Sequence, residues 1–517
     1  MTHPQAGTLS SELIDVQRCA REFDSPSAPL ARVKFGTSGH RGKLGSGFSR
    51  RHAEAIAQAV ARLHKEKTIT GPILVGGDTR LMSRQTAEIC AEVLAANGFK
   101  VLLASMPLPT PVFSFEIISG RAAASLNGTA SHNPPQDMGL KYNPPSGGPA
   151  GVEYTALIEK YANECLDSPE LVRRMPLAEA KSQGLVVLPD LVGPYLKALA
   201  GLVDLEAIRT SGLRIGIHPL GGTSIPYYQA LREGFGLENL ELVDARVDPT
   251  FRFIPLDHDG QIRMDPSSPY PMKPLLDLVE AGRFDFVGAS DPDADRFGVA
   301  TRSAGLLTPN QALCVLTEYL LGNRPSLPSQ LTVGRTIGTT HLLDRIAQAH
   351  GRGVDEVNVG FKWYVDGIRK DKYLLAGEES AGLSVYRWTA EKDGILAVLL
   401  LAEAMARTKK DLGVLYRELT ARFGDPAYRR VDAGIDEAQR AKIKSMNAAS
   451  FSGLKELAGQ KVVRVRDTDG VKIYLEDSWL LARLSGTEPI AKLYAESFLG
   501  PEHLKRLLKE GAELFGI

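Results

Sequence analysis

In the first part of the chain the apolar positions switch period. Ile56, Val60 and Leu63 recur at helical spacing, Gly71-Pro72 breaks the run, and Ile73-Leu74-Val75 follows as a short apolar strand. That strand enters Gly76-Gly77-Asp78-Thr79-Arg80; a helix through Ile89 and Val93 comes next, and Asn97-Gly98 closes it before a strand from Val101 to Leu103. The pattern returns twice. Leu213 to Ile217 leads into Gly221-Gly222-Thr223, a helix through Leu231, Gly234 and Gly236, then Leu240 to Val243. Leu331 to Val333 leads into Gly338-Thr339-Thr340, a helix through Leu343 and Ile346, then Gly351 and Val357 to Val359. Repeated strand, turn, helix, strand units predict an α/β fold of three related domains with mixed or parallel sheets, although one larger sheet would also accommodate them.

After Pro426 the texture changes. Val462 to Val465, an Asp469-Gly470 turn, Ile473 to Leu475, Trp479 to Leu481 and Lys492 to Ala495 read as strands, and a helix from Glu502 to Leu514 closes the chain. Clustered strands with flanking helices predict a fourth, C-terminal α+β domain. The polar first ~30 residues read as an arm or short helix. A chain of 517 residues is too long for one core, and roughly 100 to 200 residues per domain is the usual range. The expected boundaries are 1–205, 206–308, 309–425 and 426–517.

Charge narrows the partners. Lys plus Arg and Asp plus Glu each number 61, so no net field favours nucleic acid or an anionic membrane, and an anionic ligand must be held by placed residues. Cys19, Cys90, Cys165 and Cys314 are scattered, which suits free thiols in a reducing compartment. Residues 1–7 carry no secretory pattern, and the most apolar run, Ile395 to Ala402, is too short to span a bilayer. A cytoplasmic location is therefore expected.

Five stretches carry chemistry. In Gly128-Thr129-Ala130-Ser131-His132-Asn133-Pro134-Pro135, small residues leave room beside the Ser131 hydroxyl, and two prolines stiffen the loop. Ser131 is the candidate nucleophile, and a polar surface turn is the plain alternative. Phe35-Gly36-Thr37-Ser38-Gly39-His40-Arg41-Gly42 suits close approach of an anion, or is simply a Gly-rich turn. Asp291, Asp293 and Asp295 alternate beside Pro292 in a loop, where converging carboxylates repel unless a cation joins them. Arg296 and Arg302 stand where a calcium-binding EF-hand needs Gly and Glu, which leaves magnesium as the better fit. Gly377-Glu378-Glu379-Ser380-Ala381-Gly382 offers acceptors for sugar hydroxyls, or caps a helix. Arg483-Leu484-Ser485-Gly486-Thr487-Glu488 offers a phosphate cradle, or a hairpin turn, and Lys362 adds a further cation or a surface lysine.

In order along nearly the whole chain, these stretches resemble the five signature loops of the α-D-phosphohexomutase family, most closely its bacterial glucose-specific branch. The second loop continues through Lys141-Tyr142-Asn143-Pro144-Pro145. The resemblance implies four domains around a central cleft, three of them alike: phosphoserine-loop, metal-binding, sugar-recognition and phosphate-binding. It implies that Ser131 is a phosphoserine and that Asp291, Asp293 and Asp295 bind Mg²⁺ together with a phosphoserine oxygen. Glu378 and Ser380 would hold sugar hydroxyls. Arg483, Ser485, Gly486 and Thr487 would hold the distal phosphate, with Lys362 and Lys492 beside it and Arg296 also on the substrate side. Arg41 and Lys141 match positions of proton transfer or transition-state charge. Ala122 to Leu126 departs from the family in being less apolar than the strand expected before the serine loop, and Ala294 and Phe297 vary within the metal loop. The implied reaction interconverts glucose 1-phosphate and glucose 6-phosphate through a glucose 1,6-bisphosphate, in a monomer or homodimer. Another phosphohexose specificity such as mannose, a metal-assisted serine phosphatase, and a non-catalytic sugar-phosphate binder are the alternatives.

Overall fold

A computed structural model describes residues 2–36, 39–485 and 489–517. Six strands form the first sheet: β1 (His40–Lys43), β2 (Ile73–Gly77), β3 (Val101–Leu103), β4 (Ala124–Gly128), β5 (Asp137–Asn143) and β6 (Val186–Val187), in the order β1-β5-β4-β2-β3-β6. β4, β2, β3 and β6 run parallel, while β5 turns back antiparallel on β4. The second sheet takes β7 (Ile215–His218), β8 (Leu240–Leu242), β9 (Phe286–Ser290), β10 (Phe297–Thr301) and β11 (Gly305–Leu306) in the order β11-β10-β9-β7-β8. The third takes β12 (Thr332–Thr336), β13 (Val354–Val357), β14 (Tyr373–Glu378) and β15 (Gly382–Val385) in the order β13-β12-β14-β15.

These sheets share one winding. In each, three parallel strands are followed by a fourth that folds back antiparallel on the third, as β5 on β4, β10 on β9 and β15 on β14. The repeat expected from apolar spacing is therefore a repeat of topology. Each hairpin opens at the C-terminal end of its parallel strand, where α/β sheets ordinarily present ligand-binding loops.

The apolar run Ile395 to Ala402 lies in the helix Gly394–Thr408, whose residues Gly394 through Met405 are all buried. A helix apolar on every side is one surrounded by protein. Here it joins a core shared by Leu74 and Leu102 of the first sheet, Ile215 and Phe286 of the second, and Val333 and Leu375 of the third. Among the described residues no helix is long and apolar enough to cross a membrane. The polar N-terminal arm lies across the second unit, where His3 N donates to His258 O and Leu256 N to Thr8 O, before a helix, Val16–Asp24.

The C-terminal sheet is antiparallel, with β16 (Ala427–Gly434), β17 (Glu456–Leu457), β18 (Gln460–Arg466), β19 (Val471–Leu475), β20 (Ser478–Leu484) and β21 (Ile490–Ser497) in the order β16-β21-β20-β19-β18-β17. Alternation along β20 sends Leu480 and Ala482 to the face covered by the helix Pro501–Phe515. Trp479 and Leu481 face the other way, against Ile337 of the third unit. A buried cluster ties the same two units: Arg335 Nη1, Lys472 Nζ and Arg466 Nη1 reach the Glu356 carboxylate at 2.6, 2.9 and 2.9 Å.

The strand expected over Val357 to Val359 is shifted, since β13 ends at Val357. Beyond it Val359 N donates to Asp469 and Gly360 N to Glu378. The strand expected over Ala122 to Leu126 runs from Ala124 to Gly128.

Removing the Trp479 ring should cost about 3–5 kcal/mol, the range for deleting a fully buried aromatic side chain. Trp479→Ala is expected to unfold the C-terminal unit at distinctly lower urea, and a wild-type midpoint would place little of the inter-unit stability in this contact.

Candidate active site

Three hairpin turns meet. The β4–β5 turn carries Ser131, the β9–β10 turn carries Asp291, Asp293 and Asp295, and the β14–β15 turn follows Glu378. Each contains a buried non-glycine residue in left-handed backbone conformation: Ser131 (φ 55), Ala294 (φ 54) and Ala381 (φ 69). Such a conformation strains an L-residue and persists only where its surroundings fix it. Elements packed around the turns supply those surroundings. Thr110 N donates to Asp293 O, Thr223 N to Pro292 O, Gly394 N to Ala294 O and Phe297 N to Ala381 O.

Ser131 is held most closely. Its N–H donates to Thr129 Oγ1 at 2.8 Å, and Thr129 Oγ1 donates to Asp78 Oδ2 at 2.6 Å. Asp78 accepts from Arg80 Nε at 2.9 Å, and the Arg80 guanidinium reaches the carbonyls of Ser131 and Asp137. The Ser131 hydroxyl then donates to Asp291 Oδ2 at 2.6 Å, and His132 Nδ1 lies 3.2 Å from the hydroxyl oxygen. Burial pushes the His132 imidazole down to about 3, so the ring is neutral.

All three aspartates are buried, and one oxygen from each lies within 4.8 Å of the others. Lys141 Nζ bridges Asp293 Oδ2 at 2.6 Å and Asp295 Oδ2 at 2.9 Å, and Thr110 Oγ1 donates to Asp293 at 2.7 Å. Burial, then the charges of Asp293 and Asp295, hold the Asp291 carboxyl well above its ordinary value. Burial also opposes ionisation of Asp295, but Lys141, Lys392 and Arg296 outweigh it and hold that carboxyl below its usual range. Asp293 Oδ1 and Asp295 Oδ1 are buried without a hydrogen-bond partner among the described residues. Orphaned carboxylate oxygens beside a carboxyl that cannot ionise freely fit an oxygen-seeking divalent cation.

Arg41 sits on β1, partly buried and in the field of Asp293 and Asp295. Arg296 follows the triad and reaches Asp265 Oδ2 at 3.4 Å, while its N–H donates to Asp291 Oδ1 at 2.9 Å. Glu378 ends β14 and is buried, so the helix-cap alternative is wrong. Its carboxylate accepts from Gly360 N at 3.1 Å, with Ser380 Oγ 3.5 Å away. Arg483 on β20 stands directly opposite Lys492 on β21, and Ser485 follows at the end of β20. Lys362 lies in a short helical turn, with its ammonium 5.6 Å from the Trp363 ring centre. Gly486 and Thr487, like Thr37 and Ser38 of the first loop, lie outside the described residues.

Sequence reading passed over Asp78, Arg80, Thr110 and Lys392. Asp78 and Arg80 had a legible signal, since charged residues follow a buried strand inside a Gly turn. Lys392 stands in Glu391-Lys392-Asp393-Gly394, ahead of the apolar helix. Its ammonium lies 3.3 Å from Asp295 Oδ2 and 2.9 Å from Glu391 Oε1. It reaches there by crossing Gly382, where a Cβ would fall 2.1 Å from Lys392 Cδ.

Comparison with known proteins agrees with this architecture. Profiles for domains I, II and III and the C-terminal domain of the phosphoglucomutase/phosphomannomutase family match residues 32–167, 193–305, 308–423 and 430–514. A phosphoglucomutase of Komagataeibacter xylinus is 41% identical over 94% of this chain and 91% of its own. The crystal structure of a phosphomannomutase candidate from Thermus thermophilus superposes with a TM-score of 0.77 at 30% identity, covering 94% of this chain and 100% of that one. An open form of Paramecium parafusin shares the fold, with a TM-score of 0.76 at 22% identity over 95% and 96% of the two chains. Four linked units whose hairpin turns bring a serine to a carboxylate cluster define a phosphosugar mutase class of fold. The chain belongs to the phosphoglucomutase/phosphomannomutase family.

Burial raises the Glu378 carboxyl from 4.5 to about 7, with Glu379 adding to the shift against Lys392 and Arg296. The folded state therefore binds more protons than the unfolded between pH 4.5 and about 7, and its stability falls as pH rises through that window. Glu378→Gln should flatten this fall, read as a smaller difference in Tm between about pH 5 and about pH 7.5. Equal differences in the two proteins would mean that Glu378 is ionised throughout.

Proposed function

We propose that this protein interconverts α-D-glucose 1-phosphate and glucose 6-phosphate, with Ser131 as the phosphoryl carrier and glucose 1,6-bisphosphate as the intermediate. The observation that carries the reading is the buried Ser131 hydroxyl, aimed at Asp291 Oδ2 from 2.6 Å by a loop that Asp78, Arg80 and Thr129 hold rigid. Phosphoryl transfer depends on alignment and on cations around the transferred oxygens. Lys141, Arg41, Arg296 and Lys392 surround the aspartates from three units.

Asp291, Asp293 and Asp295 would hold Mg²⁺. When bound, the ion supplies positive charge to oxygens of the phosphoryl group in transit. With Ser131 phosphorylated, the Ser131 Oγ–P bond breaks as a free sugar hydroxyl forms its own bond to phosphorus, and the proton that the hydroxyl loses ends on Ser131 Oγ. The bisphosphate turns round, and Ser131 Oγ takes the other phosphoryl group, so no inorganic phosphate is released. Arg41 and Lys141 would serve proton transfer or transition-state charge. Glu378 and Ser380 would read hydroxyls presented in both orientations of the sugar. Arg483, Ser485, Gly486, Thr487, Lys492 and Lys362 would hold the phosphate that is not moving. Glucose is favoured over mannose by the phosphoglucomutase relative at 41% identity.

Ser131→Ala should abolish sustained turnover, and intact-protein mass spectrometry should find one labile phosphate on the wild-type protein and none on the variant. Asp293→Asn should lower both Mg²⁺ affinity and rate by at least about tenfold; activity that survives thorough chelation would remove the metal from the reading. Equal rates with mannose 1-phosphate and glucose 1-phosphate in a coupled assay would overturn the sugar assignment, and net phosphate release would indicate a phosphatase.

A further inference from the structure

The turn between β18 and β19 crosses from the C-terminal unit to the third unit and touches two parts of the site together. Asp469 Oδ1 accepts from Arg483 Nη2 at 2.9 Å, and its other oxygen accepts from Val359 N at 2.8 Å. The next backbone donor along, Gly360 N, is the one bound to Glu378 Oε1 at 3.1 Å. Consecutive peptide N–H groups thus hold the partner of the phosphate-side arginine and the sugar-side glutamate.

Neither end of this path is loosely placed. Gly470 has φ +79, and a Cβ there would fall 2.3 Å from Ala482 O and 2.6 Å from Arg483 Cγ, so the turn lies directly on the arginine's stem. Thr468 and Asn358 exchange two further hydrogen bonds across the boundary, of 3.1 and 3.4 Å. Arg466 joins Thr468 Oγ1 to Glu356. Gly360 has φ 116, a conformation open to glycine, and this directs its N–H at Glu378. Arg483 Nε is buried without a hydrogen-bond partner among the described residues.

We propose that Asp469 is a positioning residue. It orients Arg483 toward the distal phosphate and, through Val359 and Gly360, links that grip to the seating of Glu378 on the sugar. This role rests on the mutase reading above. An unheld arginine side chain must be ordered by each substrate that arrives, whereas one fixed by a carboxylate is ordered in advance. The relay also gives the C-terminal unit a direct hold on the third unit at the level of the substrate, so phosphate engagement and sugar engagement occur together.

The test is steady-state kinetics of the full chain with glucose 1-phosphate at saturating glucose 1,6-bisphosphate. Asp469→Asn places a donor where one of two donors must be met, and should raise KM about tenfold while kcat changes by less than about threefold. Asp469→Ala, which removes both acceptors, should give the same split, and Asp469→Glu should return KM part of the way to wild type. A general structural lesion would instead depress kcat and Tm and would not be relieved by Glu. In an Arg483→Ala background the Asp469→Asn substitution should raise KM little further, because the two act as one unit. A wild-type KM in both Asp469 variants, or a full additional rise in the double variant, overturns the assignment. The mutase reading is judged separately, by wild-type turnover and its loss in Ser131→Ala.

Discussion

Three aspartates taken out of water within a few ångströms of one another set the terms for the rest of this structure. Burial penalises each charge, and each charge penalises the next, as the upward shift of Asp291 records. Such a cluster persists only if cations are brought to it. Lys141 arrives from the first unit and Lys392 from the third, while Arg296 follows the triad itself. The ion pairs that steady the cluster are thus also contacts between units, and they bring the serine loop against the aspartates.

The three α/β units solve one geometric problem three times. In each, a parallel strand ends in a hairpin whose turn forces a non-glycine residue into left-handed conformation, at Ser131, Ala294 and Ala381. Isolated, these turns would relax. They are held by backbone hydrogen bonds from neighbouring elements, among them Thr110 to Asp293 and Phe297 to Ala381. One winding therefore presents three kinds of group at one place: a hydroxyl, a carboxylate cluster and the buried acid Glu378. The C-terminal sheet lies outside this repeat. It is attached to the third unit through Trp479, Lys472 and Asp469.

Much of this was legible in the chain. Apolar periodicity marked the repeated strand and helix units, because buried parallel strands must be apolar on both faces and their crossover helices on one. Ser131 and the three aspartates stood out because each sits in a short loop of turn formers where packing has no use for a charge or a lone hydroxyl, and Glu378 and Arg483 because each borders such a stretch at a strand end. Asp78 and Arg80 were passed over although they lie in such a turn, since nothing local shows that Arg80 reaches carbonyls at Ser131 and Asp137, far along the chain. Lys392 was hidden for a related reason: it reads as part of a charged helix cap, and only the space above Gly382 shows where its stem runs.

The chain by itself determined the repeated strand and helix pattern and the kinds of chemical group available, because periodicity, turn chemistry and loop composition act between neighbours in sequence. Tertiary structure alone decided which groups meet. Ser131 finds Asp291, Lys141 finds Asp293 and Asp295, and Val359 finds Asp469, all across unit boundaries. It also decided charge, since the same aspartate side chain is raised at Asp291 and lowered at Asp295 by burial and neighbours that no local pattern encodes. Distances and desolvation belong to the packed molecule, and they are what turn a set of loops into a site.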